Sequence, residues 1–553
     1  MLVYGDHESI EDPRARLMDI GQQITALEGR RGIDWHAGAV ASFIEVAGLL
    51  QGLADAAFHA AGADDLSGDQ DAVIAVLVAL ARAIDASWTS GFSRQSLDPG
   101  TLAPLGRVAW PSRLKVRRCE GYAYYALYPE LYLHAARMVP SGAIVIGLRS
   151  IGTGLAALAA AACDARAIFT VRPTGDAFAH RVVATDALEA QVRTAASETF
   201  VIVDEGPGLS GSSFGGVADW LEGLGVEPQR IMFLPGHGGD PGPEASQGHR
   251  DRWDRARRPV GDFDALLVQR SAVSIADWFA DLTGPPTAPL RDVSGGAWRS
   301  GCDRPADPAR EARKFVLTTA RGDFLLKFAG LDRAARAKFA RAKALFEAGF
   351  GPEPLGLRYG MLCERWVVPV QRNDVPPLAR YIAFRAGAFP AKVQGAWLAS
   401  LVDMARYNIG KLLGTRAHRL FVDADAQARS LQNYVRPVYV DARLHRWEWV
   451  PTAGGWLKTD AVDHAEAHDL VGCQDIAWDV AGAIVEWDLP QGGASALVGE
   501  VMPGRAEAAD LTRLMTLCYL GFQIGWWSYA NDPSAPIQRD RYAARAASLA
   551  ELL

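Results

Sequence analysis

Hydrophobic residues recur at helical spacing through the first hundred residues of this chain. Between His36 and Phe58 they form a stripe along one face, as in an amphipathic helix. From Asp71 to Ile84 the apolar pattern is nearly continuous, which predicts a buried helix. Because this region offers no group of reactive side chains, residues 1–100 are predicted to be a helical extension for packing or dimerisation, and we expect a homodimer.

The pattern changes near residue 112, where short runs rich in β-branched residues alternate with helical stretches. Continuous apolar runs of this kind predict a mostly parallel sheet that is covered on both faces. Crossover helices are predicted at Gly154–Cys163 and Phe214–Leu224. Residues 101–282 are therefore predicted to form a doubly wound α/β domain, with strands at Ala143–Gly147, Ala167–Val171, Arg181–Ala184, Phe200–Val203 and Arg230–Leu234.

A stretch rich in Pro, Gly and Asp, residues 283–311, separates this region from the rest of the chain and predicts a linker. Beyond it, Lys314–Phe328 alternates like a hairpin, and a long helix is predicted at Arg333–Ala348. Residues 312–553 are predicted to be a separate α+β domain, so that the chain as a whole belongs to the α/β class.

The amino-acid composition limits the classes of function that this chain can have. Of the 553 residues 49% are hydrophobic and 22% charged, an ordinary balance for a globular protein, and the formal net charge of −7 gives no overall basic field for nucleic acid. The six cysteines show no CxxC spacing, and the first residues are acidic rather than basic and apolar. We therefore expect a cytoplasmic protein that acts on small molecules and binds neither nucleic acid nor membranes.

The most informative segment is residues 200–221, an apolar strand followed by two acids, a Gly/Ser-rich loop and an amphipathic helix. At the carboxyl end of a parallel strand, Asp204 and Glu205 can accept hydrogen bonds from vicinal sugar hydroxyls. The loop that follows lies at a helix N-terminus, where free backbone amides favour a phosphate. This pattern predicts a site for a phosphorylated sugar.

The same segment resembles the motif by which type I phosphoribosyltransferases bind 5-phosphoribosyl 1-pyrophosphate (PRPP). The resemblance implies that Asp204 and Glu205 hold the ribose and that the 5-phosphate is bound by Leu209, Ser210, Gly211, Ser212 and Ser213. The loop is one residue longer than the usual pattern, with Gly206–Gly208 where the family commonly has two apolar residues.

An upstream strand, Ala143–Gly147, runs into a short loop of the kind that binds pyrophosphate in that family. The resemblance implies that Ser150, Ile151 and Gly152 bind pyrophosphate together with the guanidinium of Arg149. Between the two motifs, Arg172, His180 and Arg181 are further candidates for neutralising it. The implied substrate is PRPP with Mg²⁺.

The order of polar residues after residue 312 resembles the kinase-like fold of aminoglycoside phosphotransferases. In that fold a strand lysine contacts nucleotide phosphates, one aspartate is catalytic, a later one binds metal, and a further pair starts a core helix. By this resemblance the chain would bind ATP, and the residues in those places are Lys327, Asp441, Asp460 and the pair Asp475 and Asp479.

The C-terminal half departs from that family at several positions. Arg446 stands where a catalytic-loop asparagine is expected, and Lys338 and Arg341 stand in a helix that often carries a glutamate. Glu448 and Asp463 are further candidate metal ligands. A degenerate kinase without activity and an unrelated α+β domain therefore stay open as alternatives.

These patterns lead to one prediction with two alternatives. The prediction is an enzyme that transfers ribose 5-phosphate between PRPP and a nitrogenous acceptor, with pyrophosphate as the leaving group, coupled to a kinase-like domain. The first alternative is a PRPP- or nucleotide-binding regulator without catalysis. The second is a small-molecule kinase in which only the C-terminal half is active.

Overall fold

The N-terminal hundred residues are helical, as predicted. The computed structural model describes residues 2–552 except 6, 177, 271–273, 300–303 and 309. Its first helices are α1 (Pro13–Thr25), α2 (Gly32–Ala61) and α3 (Gly68–Thr89). By length and composition α2 and α3 could each cross a membrane, yet 89% of the most apolar window of α2 and 50% of that of α3 are buried inside this fold.

The central region contains the predicted parallel sheet. Its four strands run in the order β4-β3-β7-β8, and all three pairings are parallel. Side chains alternate between the faces: Val145 and Val201 pack toward α2, α3 and α6, whereas Ile146 and Ile202 pack toward α7 and α8. The bounds are β3 (Ile144–Leu148), α6 (Gly152–Cys163), β4 (Ala167–Val171), α7 (Asp186–Thr194), β7 (Phe200–Val203), α8 (Ser212–Gly223) and β8 (Ile231–Leu234).

The prediction of a strand at Arg181–Ala184 is wrong. The chain instead forms a small antiparallel hairpin of β5 (Thr174–Asp176) and β6 (Ala179–Arg181), which stands apart from the parallel sheet. Pro173 and Gly175 at its start favour a change of direction, and most of its residues are partly or fully exposed. A short β-branched run is therefore insufficient to place a strand in the buried sheet.

Shorter elements connect these layers. A two-stranded sheet pairs β1 (Glu8–Glu11) with β2 (Leu114–Arg117) and so joins the N-terminal segment to the start of the sheet region. The remaining helices of this half are α4 (Glu120–Ala123), α5 (Pro129–Ala136), α9 (Gln247–Arg255) and α10 (Ala280–Thr283).

The C-terminal half begins with a five-stranded antiparallel sheet in the order β12-β13-β11-β10-β9. The predicted hairpin and helix are both present, as β10 (Lys314–Thr319), β11 (Gly322–Phe328) and α11 (Ala334–Glu347), followed by β12 (Pro354–Arg358) and β13 (Met361–Arg365). The rest is mostly helical: α12 (Leu378–Ala388), α13 (Leu398–Leu413), α14 (Ala424–Leu431), β14 (Pro437–Val438), β15 (Trp449–Thr452), β16 (Gly455–Lys458), β17 (Gln474–Asp475), α15 (Ala477–Glu486), α16 (Gln491–Val501), α17 (Ala508–Tyr529) and α18 (Ala535–Leu552).

The segment predicted to be a linker, residues 283–311, is attached to this second sheet along much of its length. Its strand β9 (Arg291–Asp292) pairs with β10, and the amides of Thr287 and Val293 donate to the carbonyls of Thr318 and Lys314 in β10. Cys302, one of the six cysteines, lies outside the described residues. High Pro and Gly content therefore indicates irregular backbone here and does not indicate a free tether.

The two halves share a hydrophobic core. One continuous cluster of buried side chains contains residues of α2 and α3 together with Phe315, Phe328 and Tyr359 of the second sheet. The hydroxyl of Tyr128 donates to the carbonyl of Tyr359, and the hydroxyl of Tyr359 donates to the buried Glu130. This shared cluster exists beside two others, one almost wholly within the C-terminal half and one within the central sheet region, so the halves share only part of their cores.

Candidate functional site

Two groups of polar residues coincide with the sequence motifs, and the first lies at the carboxyl ends of β3 and β7. These strands are neighbours, so the loops that follow them meet at one edge of the sheet. A Cβ atom on Gly152 would lie only 2.5 Å from the carbonyl oxygen of Val203, so glycine is required where the first loop crosses the end of β7. The structure thus brings the two predicted loops together, as such folds do at ligand sites.

Asp204 and Glu205 sit where β7 ends, in surroundings that disfavour negative charge. Burial raises the pKa of Asp204 to about 7. Burial, and then the charge of Asp204, raise the pKa of Glu205 to about 8. Perturbed carboxyl groups of this kind are typical of binding and catalytic sites as well as of structural ones.

Glu205 faces a cavity of about 250 Å³ at this edge of the sheet. The cavity is rich in guanidinium groups and also exposes the predicted pyrophosphate loop. Its lining residues are His7, Arg117, Arg118, Cys119, Glu120, Arg149, Ser150, Ile151, Arg172 and Glu205. Four arginines and two glutamates belong to this lining, and each arginine is also paired with an acid outside it.

The predicted phosphate loop is only partly open to a ligand. Gly211 adopts a left-handed conformation, with φ of 66°, and α8 starts directly after it. The side chain of Leu209 is exposed, whereas Ser210 and Ser212 are buried and their hydroxyl groups lie 2.8 Å apart. His180, a candidate for neutralising pyrophosphate, instead lies with Nδ1 2.7 Å from the Ser212 hydroxyl. The backbone amides at the start of α8 are therefore better candidates for an anion than the serine hydroxyls.

The structure gives Arg149 a different setting from the one predicted. Its guanidinium is 1% exposed and forms ion pairs with Asp55 and Asp64, which come from the helical extension. It also donates to the carbonyl of Thr170. Arg172 shares the Asp55 carboxylate through a hydrogen bond of 2.9 Å. With these partners, Arg149 joins the extension to the sheet and its guanidinium is not open to pyrophosphate.

Replacing Arg149 by alanine is expected to lower the free energy of unfolding by about 3 kcal/mol even without any ligand, because two buried carboxylates lose a partner. The matched control is Arg166→Ala, since Arg166 is 68% exposed in its pair with Glu198; there the loss should stay below about 1 kcal/mol. Urea unfolding of both variants measures the difference. Similar small losses in the two would contradict the structural role of Arg149.

The second group of polar residues lies in the C-terminal half around Lys327. This lysine is the next-to-last residue of β11, and its buried ammonium contacts the carboxylates of both Asp460 and Asp463. Although burial opposes the charge, these two carboxylates hold the pKa of Lys327 above its usual range. Lys327 and Asp460, which are 133 positions apart in the chain, are thus in direct contact.

The helix after Lys327 contributes cations where the family often has an acid. Lys338 on α11 lies 3.1 Å from Asp463 and donates to the carbonyl of Ala329, and Arg341 pairs with Glu466. This helix therefore carries positive charge where the family often has negative charge, and its partners Asp463 and Glu466 are acids. Lys327 is held by aspartates of the later loop instead of by a helix glutamate.

Asp441 is fully buried next to this group. Its carboxylate accepts a hydrogen bond from the hydroxyl of Tyr381 and lies 3.1 Å from the ammonium of Lys458. Burial would raise the pKa of Asp441, but the positive charge of Lys458 holds it well below its usual range. Asp441 is therefore ionised at neutral pH, so that it can accept hydrogen bonds while remaining a weak base.

The predicted aspartate pair supports the backbone around Asp441. Asp479 accepts the amide N–H groups of Asp441 and Ala442 at 2.8 and 2.9 Å. This matters because Ala442 adopts a left-handed conformation, with φ of 66°, which is unusual for alanine. Asp475 caps the start of α15 by accepting the amide of Ala477 at 3.0 Å. Both aspartates hold the loop that presents Asp441 in place.

Two further residues, Lys458 and His464, belong to the cluster. A lysine at the end of a strand carries no local sign of burial. His464 donates from Nδ1 to the carbonyl of Asp441 at 2.9 Å, and its Nε2 lies 3.6 Å from Asp460. Burial and Arg443 would lower its pKa, but contacts with Asp441 and Asp460 raise it to about 9. His464 is thus a cation in this cluster.

The donor set fits a divalent cation best at Asp460. Ligand atoms of Glu448, Asp460 and His464 lie within 4.8 Å of one another. Glu448, however, is bound to Lys458 at 2.7 Å, and Nδ1 of His464 donates to the carbonyl of Asp441. Asp460 is 33% exposed, which leaves room for the water ligands that Mg²⁺ retains. Arg446 turns away to the carbonyl of Glu486 and to Asp488.

Comparison with known proteins finds no matching family model and no matching curated protein. Several solved structures are similar over about half of this chain, and they are kinases. Choline kinase LicA from Streptococcus pneumoniae is 10% identical, with 50% of this chain and 98% of that chain covered and a TM-score of 0.32. A choline/ethanolamine kinase family protein from Mesorhizobium loti is 18% identical, with 49% and 93% covered and a TM-score of 0.34.

Spectinomycin phosphotransferase APH(9)-Ia, solved in complex with ADP and spectinomycin, is 8% identical, with 50% and 98% covered and a TM-score of 0.35. Similarities of this size do not assign an activity, so the assignment has to rest on the side chains described above. The comparisons give no support to the predicted phosphoribosyltransferase activity.

Proposed function

We propose that the C-terminal half is a nucleotide-dependent phosphotransferase that acts on a small molecule. The observation that carries this proposal is the meeting of Lys327, Asp441 and Asp460 in one cluster, although they come from a strand and two distant loops. The ammonium of Lys327 contacts Asp460, and His464 contacts both aspartates. A strand lysine and two loop aspartates at one place are the parts that phosphoryl transfer requires.

The roles follow from the charge and burial of each group. Lys327 binds the phosphates of the nucleotide through its ammonium, which then exchanges its aspartate partners for phosphate oxygens. Asp441, held ionised by Lys458, accepts the hydrogen bond of the acceptor hydroxyl and orients it for attack. Asp460 would hold Mg²⁺, which when bound neutralises charge on the transferred phosphoryl group. Tyr381 and Asp479 keep Asp441 in position.

Calorimetric titration of the full chain with ADP in the presence of Mg²⁺ tests the proposal. We expect saturable binding with one nucleotide per chain, weakened when Mg²⁺ is removed, because the β-phosphate loses its counter-ion. The ATP-dependent phosphorylation of a panel of amino alcohols and aminoglycosides would then identify the acceptor class. A chain that binds neither ADP nor ATP under these conditions is not a phosphotransferase.

A second candidate function belongs to the parallel sheet, where we propose a site for PRPP or a related sugar phosphate. The cavity beside Glu205 supports it, because arginines, backbone amides and two carboxyl groups meet at the carboxyl ends of β3 and β7. The ligand would place its hydroxyl groups on Asp204 and Glu205 and its phosphate at the start of α8. Turnover with pyrophosphate release would make this half a transferase, and binding alone would make it a regulator of the other half.

The double variant Asp204→Asn/Glu205→Gln is expected to lose the stabilisation by ligand and, without ligand, to be more stable than the parent. PRPP with Mg²⁺ should raise the Tm of the parent by mass action and have little effect on the variant. Without ligand, the variant should be the more stable protein at pH 9. In the folded protein the pKa values of Asp204 and Glu205, about 7 and about 8, lie above those of the unfolded chain. The parent therefore loses stability as the pH rises from the unfolded pKa values to the folded ones.

Thermal melts at pH 5 and pH 9, with and without PRPP, measure both effects. The stability difference should be much smaller at pH 5 than at pH 9, and it should vanish only below about pH 4, where these carboxyl groups are protonated in the unfolded chain as well. An equal PRPP shift in parent and variant would contradict the assignment of the ribose to these two acids.

A further inference from the structure

Lys458 is the most deeply buried cation of the C-terminal cluster. Its side chain is 0% exposed at the end of β16. The ammonium donates to Glu448 at 2.7 Å and to the carbonyl of Thr459 at 3.0 Å, and it lies 3.1 Å from Asp441. The ammonium therefore lies between the carboxylates of Glu448 and Asp441, with a hydrogen bond to the first and an ion pair with the second.

The four acids of the cluster face two groups of cations, and His464 lies between the groups, near both Asp441 and Asp460. Lys327 and Lys338 neutralise Asp460 and Asp463 on the side of the second sheet. On the other side Lys458 bridges Asp441 and Glu448, while Arg385 lies 3.9 Å from Asp441 and His445 lies 3.4 Å from Glu448. The sides also differ in access to water, since Asp460 is 33% exposed whereas Asp441 is 0% exposed.

This arrangement leaves room for one hydrated cation and not for two. Kinases of this general type hold two Mg²⁺ ions, and a catalytic-loop asparagine supplies a ligand to the second. In this chain that position is Arg446, whose guanidinium binds Glu486 and Asp488 instead. The two acids that could compensate, Asp441 and Glu448, are already joined by the Lys458 ammonium.

We propose that the Lys458 ammonium takes the place of a second divalent cation, so that this site works with a single metal ion bound at Asp460. The inference rests on the proposed phosphotransferase function. An ammonium there supplies fixed positive charge beside Asp441 with no need to bind or release an ion. Lys458 thereby acts through Asp441 and Glu448 as a positioning residue.

The test counts metal ions with Mn²⁺ as the probe, by electron paramagnetic resonance of the full chain saturated with ADP. We expect one Mn²⁺ per chain in the parent and two in Lys458→Met, where Asp441 and Glu448 become free to bind metal. Lys343→Met is the matched control, because Lys343 is exposed on α11, and it should keep one. Two ions in the parent, or the same number in the parent and Lys458→Met, would overturn the proposal.

Removing Lys458 leaves two buried carboxylates close together, so the variant needs a check of folding. We expect its Tm to rise on adding Mn²⁺ by clearly more than that of the parent, since the ion replaces the lost charge. The double variant Lys458→Met/Glu448→Gln relieves the repulsion, and it should fold and lose the extra Mn²⁺ site. An extra site that persists in the double variant would also overturn the proposal.

Counting bound Mn²⁺ in nucleotide-free protein separates the phosphotransferase proposal from the proposal for Lys458. If the parent fails to bind ADP, the phosphotransferase proposal fails. The difference of one Mn²⁺ between parent and Lys458→Met in nucleotide-free protein still decides whether Lys458 occupies a cation site. An unchanged count there refutes the role of Lys458 whatever the nucleotide result.

Discussion

ATP turnover is expected to fall by about 10²- to 10³-fold when Lys327 is replaced by alanine or Asp460 by asparagine, because each change removes a fixed charge that acts on the transferred phosphoryl group. Both residues lie in the cluster with Asp441, and neither belongs to a hydrophobic core. Initial rates of ADP formation with the full chain, together with PRPP-dependent thermal shifts, measure the effect. The response to PRPP should be unchanged in both variants.

Two controls make that result specific. Lys343→Ala removes an exposed lysine from α11 and should keep the parental rate. Lys327→Arg keeps the charge but changes its shape, and it should recover only part of the rate, since a guanidinium is bulkier than an ammonium in this buried position. Parental rates in both Lys327→Ala and Asp460→Asn would remove this cluster from the chemistry and leave the site beside Glu205 as the remaining candidate.

Residues 312–553 expressed alone are not expected to form a stable fold. Phe315, Phe328 and Tyr359 pack against aromatic rings of the N-terminal half, namely Phe263, Tyr128 and Trp278. Exposing three such side chains costs about 1.5–3 kcal/mol each. A total of about 5–9 kcal/mol approaches the whole stability of a typical domain, about 5–15 kcal/mol.

Solubility, size-exclusion chromatography and thermal melts of the fragment measure this outcome. Co-expression with residues 1–311 should restore a soluble complex, because the shared core can then form between the two pieces. A monomeric fragment that melts cooperatively on its own would show that the halves are independent domains, as the sequence pattern predicted.

Local sequence pattern predicted the secondary structure of both halves well. The strands β4 and β7 have the predicted bounds, and the hairpin at Lys314–Phe328 and the helix after it are present. The failures are the strand at Arg181–Ala184 and the free linker at 283–311. In the first place the chain pairs with its near neighbours in a small hairpin, and in the second it pairs with β10, which the local composition did not indicate.

The candidate sites likewise contain residues that the sequence predicted and contacts that only the structure shows. The sequence predicted Asp204 and Glu205 as candidates after a buried strand, because a strand end is a local feature, and the kinase resemblance implied Lys327, Asp441 and Asp460. It had no means of showing that Arg149 is held by Asp55 and Asp64, or that Lys458 lies between Asp441 and Glu448. Whether a charged side chain binds a ligand or another side chain depends on which distant groups burial brings within a few ångströms, and only the tertiary structure determines that.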